Sequence, residues 1–209
     1  MMRGIYQTQY KTYMADARHN RRNESCFKNS YLLRLSYKIM KIIRPNIIDV
    51  EASGFGPESY PIEIGFVTTS RKRYSTLIMP HENWNHWDPE SARIHNITRD
   101  LLNRHGRPLG EVAEYLNKIF KGETVYSDGW VVDKPWIDRL FYEANAQRLF
   151  SVSPLELILK EDQMEIWHRI KIEVIKQLKA ERHRASIDAY VIQETFVRSR
   201  KILSDHQGI

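Results

Sequence analysis

Asp49 and Glu51, in the stretch "NIIDVEASGFG", stand two residues apart in a run that is otherwise apolar at Ile47, Ile48 and Val50. Alternate side chains of a strand share a face, so both carboxylates point the same way. Like charges side by side on a mostly buried strand lose solvation and repel each other. A metal cation in front of the pair would relieve this, and so would a strand end open to solvent. Residue types alone leave both readings open. The turn that follows, Ser53-Gly54-Phe55-Gly56, carries two glycines, so its backbone can approach a flat ligand closely.

Two further constellations lie downstream. In "HRASIDAYVIQETF", His183 and Asp188 are five residues apart. A helix starting near Ser186 puts Asp188 in its first turn, where the helix dipole favours an acid. His183 then falls in the preceding loop, a position suited to proton transfer. Taken alone, the pair reads more simply as a helix-start acid and a surface histidine. In "VYSDGWVVDKPWIDRLF", Asp128 and Asp133 lie just past a short strand. Asp133 reads equally as support for a helix starting near Pro135. Asp138, inside that helix and next to Arg139, reads as solvated.

The elements that must position these residues follow an α/β pattern from Lys41 onward. A strand near 46–51, "IEIGFVTT" and "RYSTLIMP" have hairpin spacing and predict an antiparallel meander. "DPESARIHNITRDLLNRHG" predicts short helical turns that stop at Gly106. "PLGEVAEYLNKIFKG" predicts a helix with Leu109, Val112, Leu116 and Ile119 on its buried face. "TVYSD" and "RLFSVS" read as short strands around the Pro135 helix. The remainder is helical and broken near "AERHRAS". Strands followed by strand–helix alternation imply an α/β fold, a mixed five-stranded sheet flanked by helices.

Composition narrows the class. The chain has 209 residues, 42% of them hydrophobic, enough for one globular domain. No apolar run approaches the ~20 residues that span a bilayer, so no membrane partner is expected. Cys26 is the one cysteine, which excludes an intrachain disulfide and a cysteine metal cluster. A reducing, cytoplasmic setting is the natural reading. The net charge of +6 is uneven. Residues 1–44 hold ten Lys/Arg and two acids, whereas the remaining 165 residues hold 22 Lys/Arg and 24 acids. Residues 1–40 therefore read as a basic N-terminal extension, dispensable rather than a working arm, ahead of a functional domain at 41–209.

Together the three acidic segments resemble the DEDDh family of 3′–5′ exonucleases, which includes proofreading exonucleases, ribonuclease T and oligoribonuclease. The matching residues are Asp49 with Glu51 on the first strand, Asp133 after the fourth strand, and His183 with Asp188 at a late helix. "RIHNIT" at 93–98 is similar to the family's "IHGI(S/T)" segment near the substrate nucleotide. The chain departs from the usual "HNxxFD" in reading "DGWVVD", with Asp128, Gly129 and Val132 at the differing positions.

The resemblance implies a ribonuclease H-like fold and a catalytic set of Asp49, Glu51, Asp133, His183 and Asp188. The four carboxylates imply two hard divalent cations, Mg2+ or Mn2+. Such ions, roughly 4 Å apart, can hold the attacking and leaving oxygens of a phosphodiester displacement. His183 would take the proton of the attacking water. The implied partner is a single-stranded or short DNA or RNA 3′ end, and the product a nucleoside 5′-monophosphate. Substrate contacts are expected from Ser53, Gly54, Phe55, His95 and Trp130, with Trp84 and Trp87 as further aromatic candidates for stacking on bases. A near-neutral body argues for a short single-stranded end over a long duplex. The competing readings are a non-catalytic nucleic-acid-binding module on this fold and a nucleotide phosphohydrolase.

The charge break near Arg44 makes a first prediction. A chain beginning at Met40 is expected to fold and to cleave short oligonucleotides at nearly the full-length rate. Loss of the circular-dichroism signal would show the head to be structural. A loss of affinity that high salt equalises would show it to be an electrostatic arm.

Overall fold

Five strands form one mixed sheet in the order β3-β2-β1-β4-β5. They are β1 (Asn46–Ala52), β2 (Pro61–Val67), β3 (Arg73–Leu77), β4 (Thr124–Ser127) and β5 (Ser151–Pro154). The computed structural model describes residues 42–180 and 183–206, and the basic extension expected at 1–40 lies outside them. The first three strands make the expected antiparallel meander, while β4 joins β1 and β5 joins β4 in parallel. Among the described residues six α-helices flank the sheet: α1 (Pro89–His95), α2 (Arg99–His105), α3 (Leu109–Phe120), α4 (Trp130–Glu143), α5 (Glu161–Leu178) and α6 (Ala185–His206). No helix among the described residues is long and apolar enough to cross a membrane.

Strand alternation sorts β1 and β2 onto two faces. Ile48, Val50 and Ala52 enter the larger core with Ile62, Ile64 and Phe66. Ile47 and Val67 belong to a second apolar cluster with Ala189, Ile192 and Phe196 of α6. Asp49 and Glu51 share the Ile47 face, and Glu63 and Gly65 share the Val67 face. The register pairs Ile47 with Val67, Asp49 with Gly65, and Glu51 with Glu63. Along this face the sheet therefore passes from apolar to acidic, and α6 crosses that boundary.

Helix α6 is seated by a stripe of Ala185, Ala189, Ile192 and Phe196, all buried. Full burial of an Ile or Phe is worth about 1.5–3 kcal/mol, so this stripe fixes the helix firmly. Its first turn lies directly on the backbone of β2. A Cβ at Gly65 would lie 2.2 Å from Ser186 N and 2.4 Å from the Ala185 carbonyl carbon.

Two expectations need correction. Helix α3 buries Val112, Ala113, Leu116 and Phe120, whereas Ile119 is exposed. Because Ala113 is buried as well, the buried face centres near Leu116, and at 3.6 residues per turn Phe120 lies about 40° from it against about 60° for Ile119. The Phe120 ring packs edge-on against Phe66 with centroids 4.8 Å apart. Helix α4 starts at Trp130, with Gly129 as its N-cap, so Pro135 is inside it. The Asp133 N–H donates to Gly129 O at 3.0 Å, so the turn has already closed before the proline.

The close seating makes Gly65→Ala a test of the packing. The atoms it would strike are backbone and cannot rotate away, so a loss of about 1–3 kcal/mol is expected. A thermal unfolding midpoint equal to wild type would show that α6 does not rest on this position.

Candidate active site

The site forms where β1 outruns β4. Parallel pairing of the two strands is confined to Asn46–Val125 and Ile47–Tyr126, which leaves the second half of β1 bordered by the start of α4. There the Val50 N–H reaches the Asp133 carboxylate. Ser127, the last residue of β4, receives the Gly129 N–H on its hydroxyl at 2.9 Å and donates that hydroxyl to Asp133 Oδ2. Asp133 is buried inside the first turn of α4, not ahead of the helix as the sequence implied.

On the α6 face, ligand atoms of Glu51, His183 and Asp188 all lie within 4.8 Å of one another, a group able to hold a cation. Glu51 is half-buried, Asp188 buried and His183 exposed. The His183 N–H donates to Asp188 Oδ2 at 2.7 Å, and His183 itself has φ +66°. Asp49 is half-buried on β1 between Ile48 and Val50.

Electrostatics tie these acids into one cluster. Burial, and then the charges of Asp133, Asp188, Glu51 and Asp128, hold the Asp49 carboxyl well above the usual carboxylate range. Burial pushes Asp133 up to about 7. The Ser127 and Val50 hydrogen bonds favour its charged form, against repulsion from Asp128 and Glu51. Asp128 adds to the repulsion on both, but its own carboxylate is paired with Lys171 of α5. Carboxylates that repel one another this strongly suit a hard cation with oxygen ligands.

The expected substrate contacts differ in their surroundings. Ser53 is buried, and its hydroxyl accepts the Tyr60 N–H at 3.1 Å and meets His86 Nδ1 at 3.1 Å. Gly54 has φ +144°, and a Cβ there would lie 2.7 Å from both Asp88 Cβ and His86 Cε1. Only glycine fits that turn. Phe55 is 72% exposed, its ring 6.2 Å from Trp136. His95 is buried edge-on to Trp87, and its Nδ1 accepts the Ile97 N–H at 3.0 Å. That bond makes Nε2 the protonated nitrogen, and Nε2 has no hydrogen-bond partner among the described residues. Burial, with His183 and Arg184 nearby, pushes the His95 imidazole below its ordinary value, opposed by Glu63 and Asp88.

The aromatic candidates other than Phe55 are engaged within the fold. Trp130 is half-buried and its indole N–H donates to Val152 O at 3.0 Å. Trp84 is buried, stacked on Tyr60 with centroids 4.8 Å apart, and Trp87 packs partly buried against the core.

Sequence reasoning missed Glu63, Gly65 and Arg184. Glu63 is 1% exposed and its carboxylate takes both Arg184 Nη2, at 2.9 Å, and Arg184 Nε, at 3.1 Å. The signal was in "IEIGFV": an acid between isoleucines on a buried strand needs a partner, and a mid-strand glycine marks close backbone approach.

The crowded acids set a pH dependence for the metal-free protein. In the unfolded chain Asp releases its proton near pH 4, whereas native Asp133 keeps it to about 7 and Asp49 is raised as well. Between these values the native state binds more protons, so the contribution to stability is full below about 4 and is lost as pH rises through about 7. Asp49→Asn removes one repelling charge. Its melting temperature without metal should match wild type near pH 4 and exceed it increasingly up to pH 8. Mg2+ or Mn2+ should raise the wild-type value most at pH 8. A constant difference between variant and wild type over that range would refute the crowding.

No protein-family model and no curated protein matches the sequence. Solved structures do. E. coli exonuclease I in complex with a dA16 oligonucleotide superposes with TM-score 0.56 at 16% identity, over 77% of this chain and 42% of that one. A zinc-bound E. coli exonuclease I–ssDNA complex gives TM-score 0.55 at 14% identity, over 76% and 41%. Exonuclease I from Methylocaldum szegediense gives TM-score 0.54 at 14% identity, over 76% and 41%. The chain thus spans about two fifths of the length of these neighbours. The five-stranded mixed sheet and its flanking helices have the ribonuclease H-like α/β fold of exonuclease I.

Proposed function

We propose that this chain is a divalent-metal-dependent 3′–5′ exonuclease that hydrolyses the terminal phosphodiester of single-stranded or short nucleic acid and releases nucleoside 5′-monophosphates. The observation that carries the reading is the convergence of acids from β1, α4 and α6 beside an exposed histidine. The fold shared with exonuclease I, whose structures hold single-stranded oligonucleotides, supports the substrate class.

Asp49, Glu51, Asp133 and Asp188 would hold the two Mg2+ or Mn2+ ions. Their mutual repulsion and oxygen donors fit such cations. When bound, the cations supply Lewis-acid stabilisation of charge on the attacking and leaving oxygens. His183, exposed beside Glu51 and Asp188, accepts the proton of the attacking water on an imidazole nitrogen. Asp188 holds the His183 backbone through its N–H. The outward Phe55 ring offers a face to a base, a contact worth about 1–3 kcal/mol where it forms. His95 Nε2–H offers a donor to an oxygen of the terminal nucleotide. The packed Ser53 side chain and Gly54 shape the turn that presents Phe55.

The decisive experiment is cleavage of 5′-labelled DNA and RNA oligonucleotides with and without chelator. Release of mononucleotides from the 3′ end, abolished by chelation, is expected. Binding without cleavage would favour the non-catalytic module, and hydrolysis confined to free nucleotides the phosphohydrolase. Asp133→Asn should cost more than roughly 100-fold in single-turnover rate with the fold intact. Asp128→Asn should cost less, because Asp128 is partnered by Lys171. The reverse order would remove Asp133 from the metal set.

A further inference from the structure

Just before α6 the chain must hold His183 in a left-handed conformation, φ +66°, which non-glycine residues seldom adopt without support. Support comes from both sides. The His183 N–H is taken by Asp188, one turn into the helix. The next two residues are taken by Glu63 of β2. Its Oε1 accepts Arg184 Nη2 at 2.9 Å, and its Oε2 accepts Arg184 Nε at 3.1 Å and Ala185 N at 3.1 Å. Such two-pronged, charge-assisted bonds fix orientation as well as distance. The Arg184 carbonyl meanwhile accepts the first helical bonds, from Ile187 N at 2.8 Å and Asp188 N at 3.0 Å. Glu63 therefore caps α6 from another element of the fold, at the end where a helix favours negative charge.

The register gives this cap its meaning. Glu63 lies opposite Glu51 in the β1–β2 ladder, and Gly65 lies opposite Asp49. Gly65 lets the first turn of α6 touch the sheet, and Glu63 then fixes the two residues that follow His183. An apolar contact would seat a helix as well at lower desolvation cost. It would not set the direction in which the chain leaves the helix start.

We infer that the pair of buried Glu63 with Arg184 is a positioning device that holds His183 over the acid cluster. This rests on the reading of His183 as proton acceptor. Glu63 and Arg184 are positioning residues, acting on the reaction through His183.

The test uses the full chain with Glu63→Gln, and Arg184→Lys as a second variant at the partly exposed end of the pair. In metal-free protein, amide exchange followed by NMR should show the His183 N–H losing about tenfold or more of its protection in either variant. Ile64 in the sheet centre should keep its protection. Well below the melting temperature, kcat should fall about 10- to 100-fold with KM nearly unchanged, as expected for a displaced catalytic group. In a His183→Ala background, Glu63→Gln should cost no further rate. Wild-type kcat in a folded variant with a lowered melting temperature would overturn the proposal, as would additive losses in the double variant. If Glu63→Gln fails to fold, Arg184→Lys decides. If His183→Ala alone keeps the full rate, the proton-acceptor reading fails, and His183 amide exchange still decides whether the pair holds the loop.

Discussion

Repulsion among buried and half-buried carboxylates is the constraint around which this fold is organised. Asp49 lies among Asp133, Asp188, Glu51 and Asp128, and each of them raises its carboxyl further above the ordinary range. A fold gains nothing in stability from such crowding, so each contributing element must be fixed by contacts elsewhere. Ile47, Val67, Ala189, Ile192 and Phe196 seat α6 by apolar burial, which brings Asp188 to β1. The larger core seats α4 through Ile137, Leu140 and Phe141, which brings Asp133 to the other side of the same strand.

Two cations near the cluster, among the described residues, are engaged with other acids. Lys171 pairs with Asp128 and Arg184 with Glu63. Glu63 is buried while Arg184 reaches the surface, so truncating Arg184 would strip a buried carboxylate of its side-chain counterion. Asp128 thereby becomes a flanking charge with its own counterion, while Asp133, with a hydroxyl and a backbone N–H as partners, stays in the repelling group. The difference follows from geometry. Asp128 sits in the turn after β4, within reach of α5, whereas Asp133 has been carried by one helical turn under β1.

Most of the architecture was legible because its signals are local. Alternation in β1 and β2, hairpin spacing and the glycine stops gave the meander and the order of helices, and the D-x-E, Asp133 and H-x4-D segments do meet at one place. What was not legible depended on three-dimensional contact. The choice of Phe120 over Ile119 on α3 turns on the burial of Ala113 and on the aromatic neighbours Phe66 and Phe150, neither of which the residue pattern alone displays. Pro135 suggested a helix start, but the helix begins five residues earlier, at Trp130, with Gly129 as its cap. The tryptophans looked available for stacking, and Trp84 is enclosed by Tyr60 while Trp130 is tied to β5. The partner of Glu63 lies 121 residues away, beyond any sequence window.

Charge finally constrains how a nucleic-acid end could approach. Beyond residue 44 the chain carries 22 Lys/Arg and 24 acids, so the body offers a polyanion no long-range attraction. At the cluster itself a phosphate would meet further negative charge. Two processes can remove that obstacle, protonation of the acids or occupation by cations. Protonation is lost as pH rises, with Asp133 pushed up to about 7 and Asp49 held above its ordinary range by burial. At neutral pH and above, the same acids that make the empty site unfavourable must be neutralised from outside before any phosphodiester can lie across them. On the proposed reading, metal occupation is therefore a condition of substrate binding as well as of chemistry, and the exposed Phe55 can contribute its stacking energy only once that condition is met.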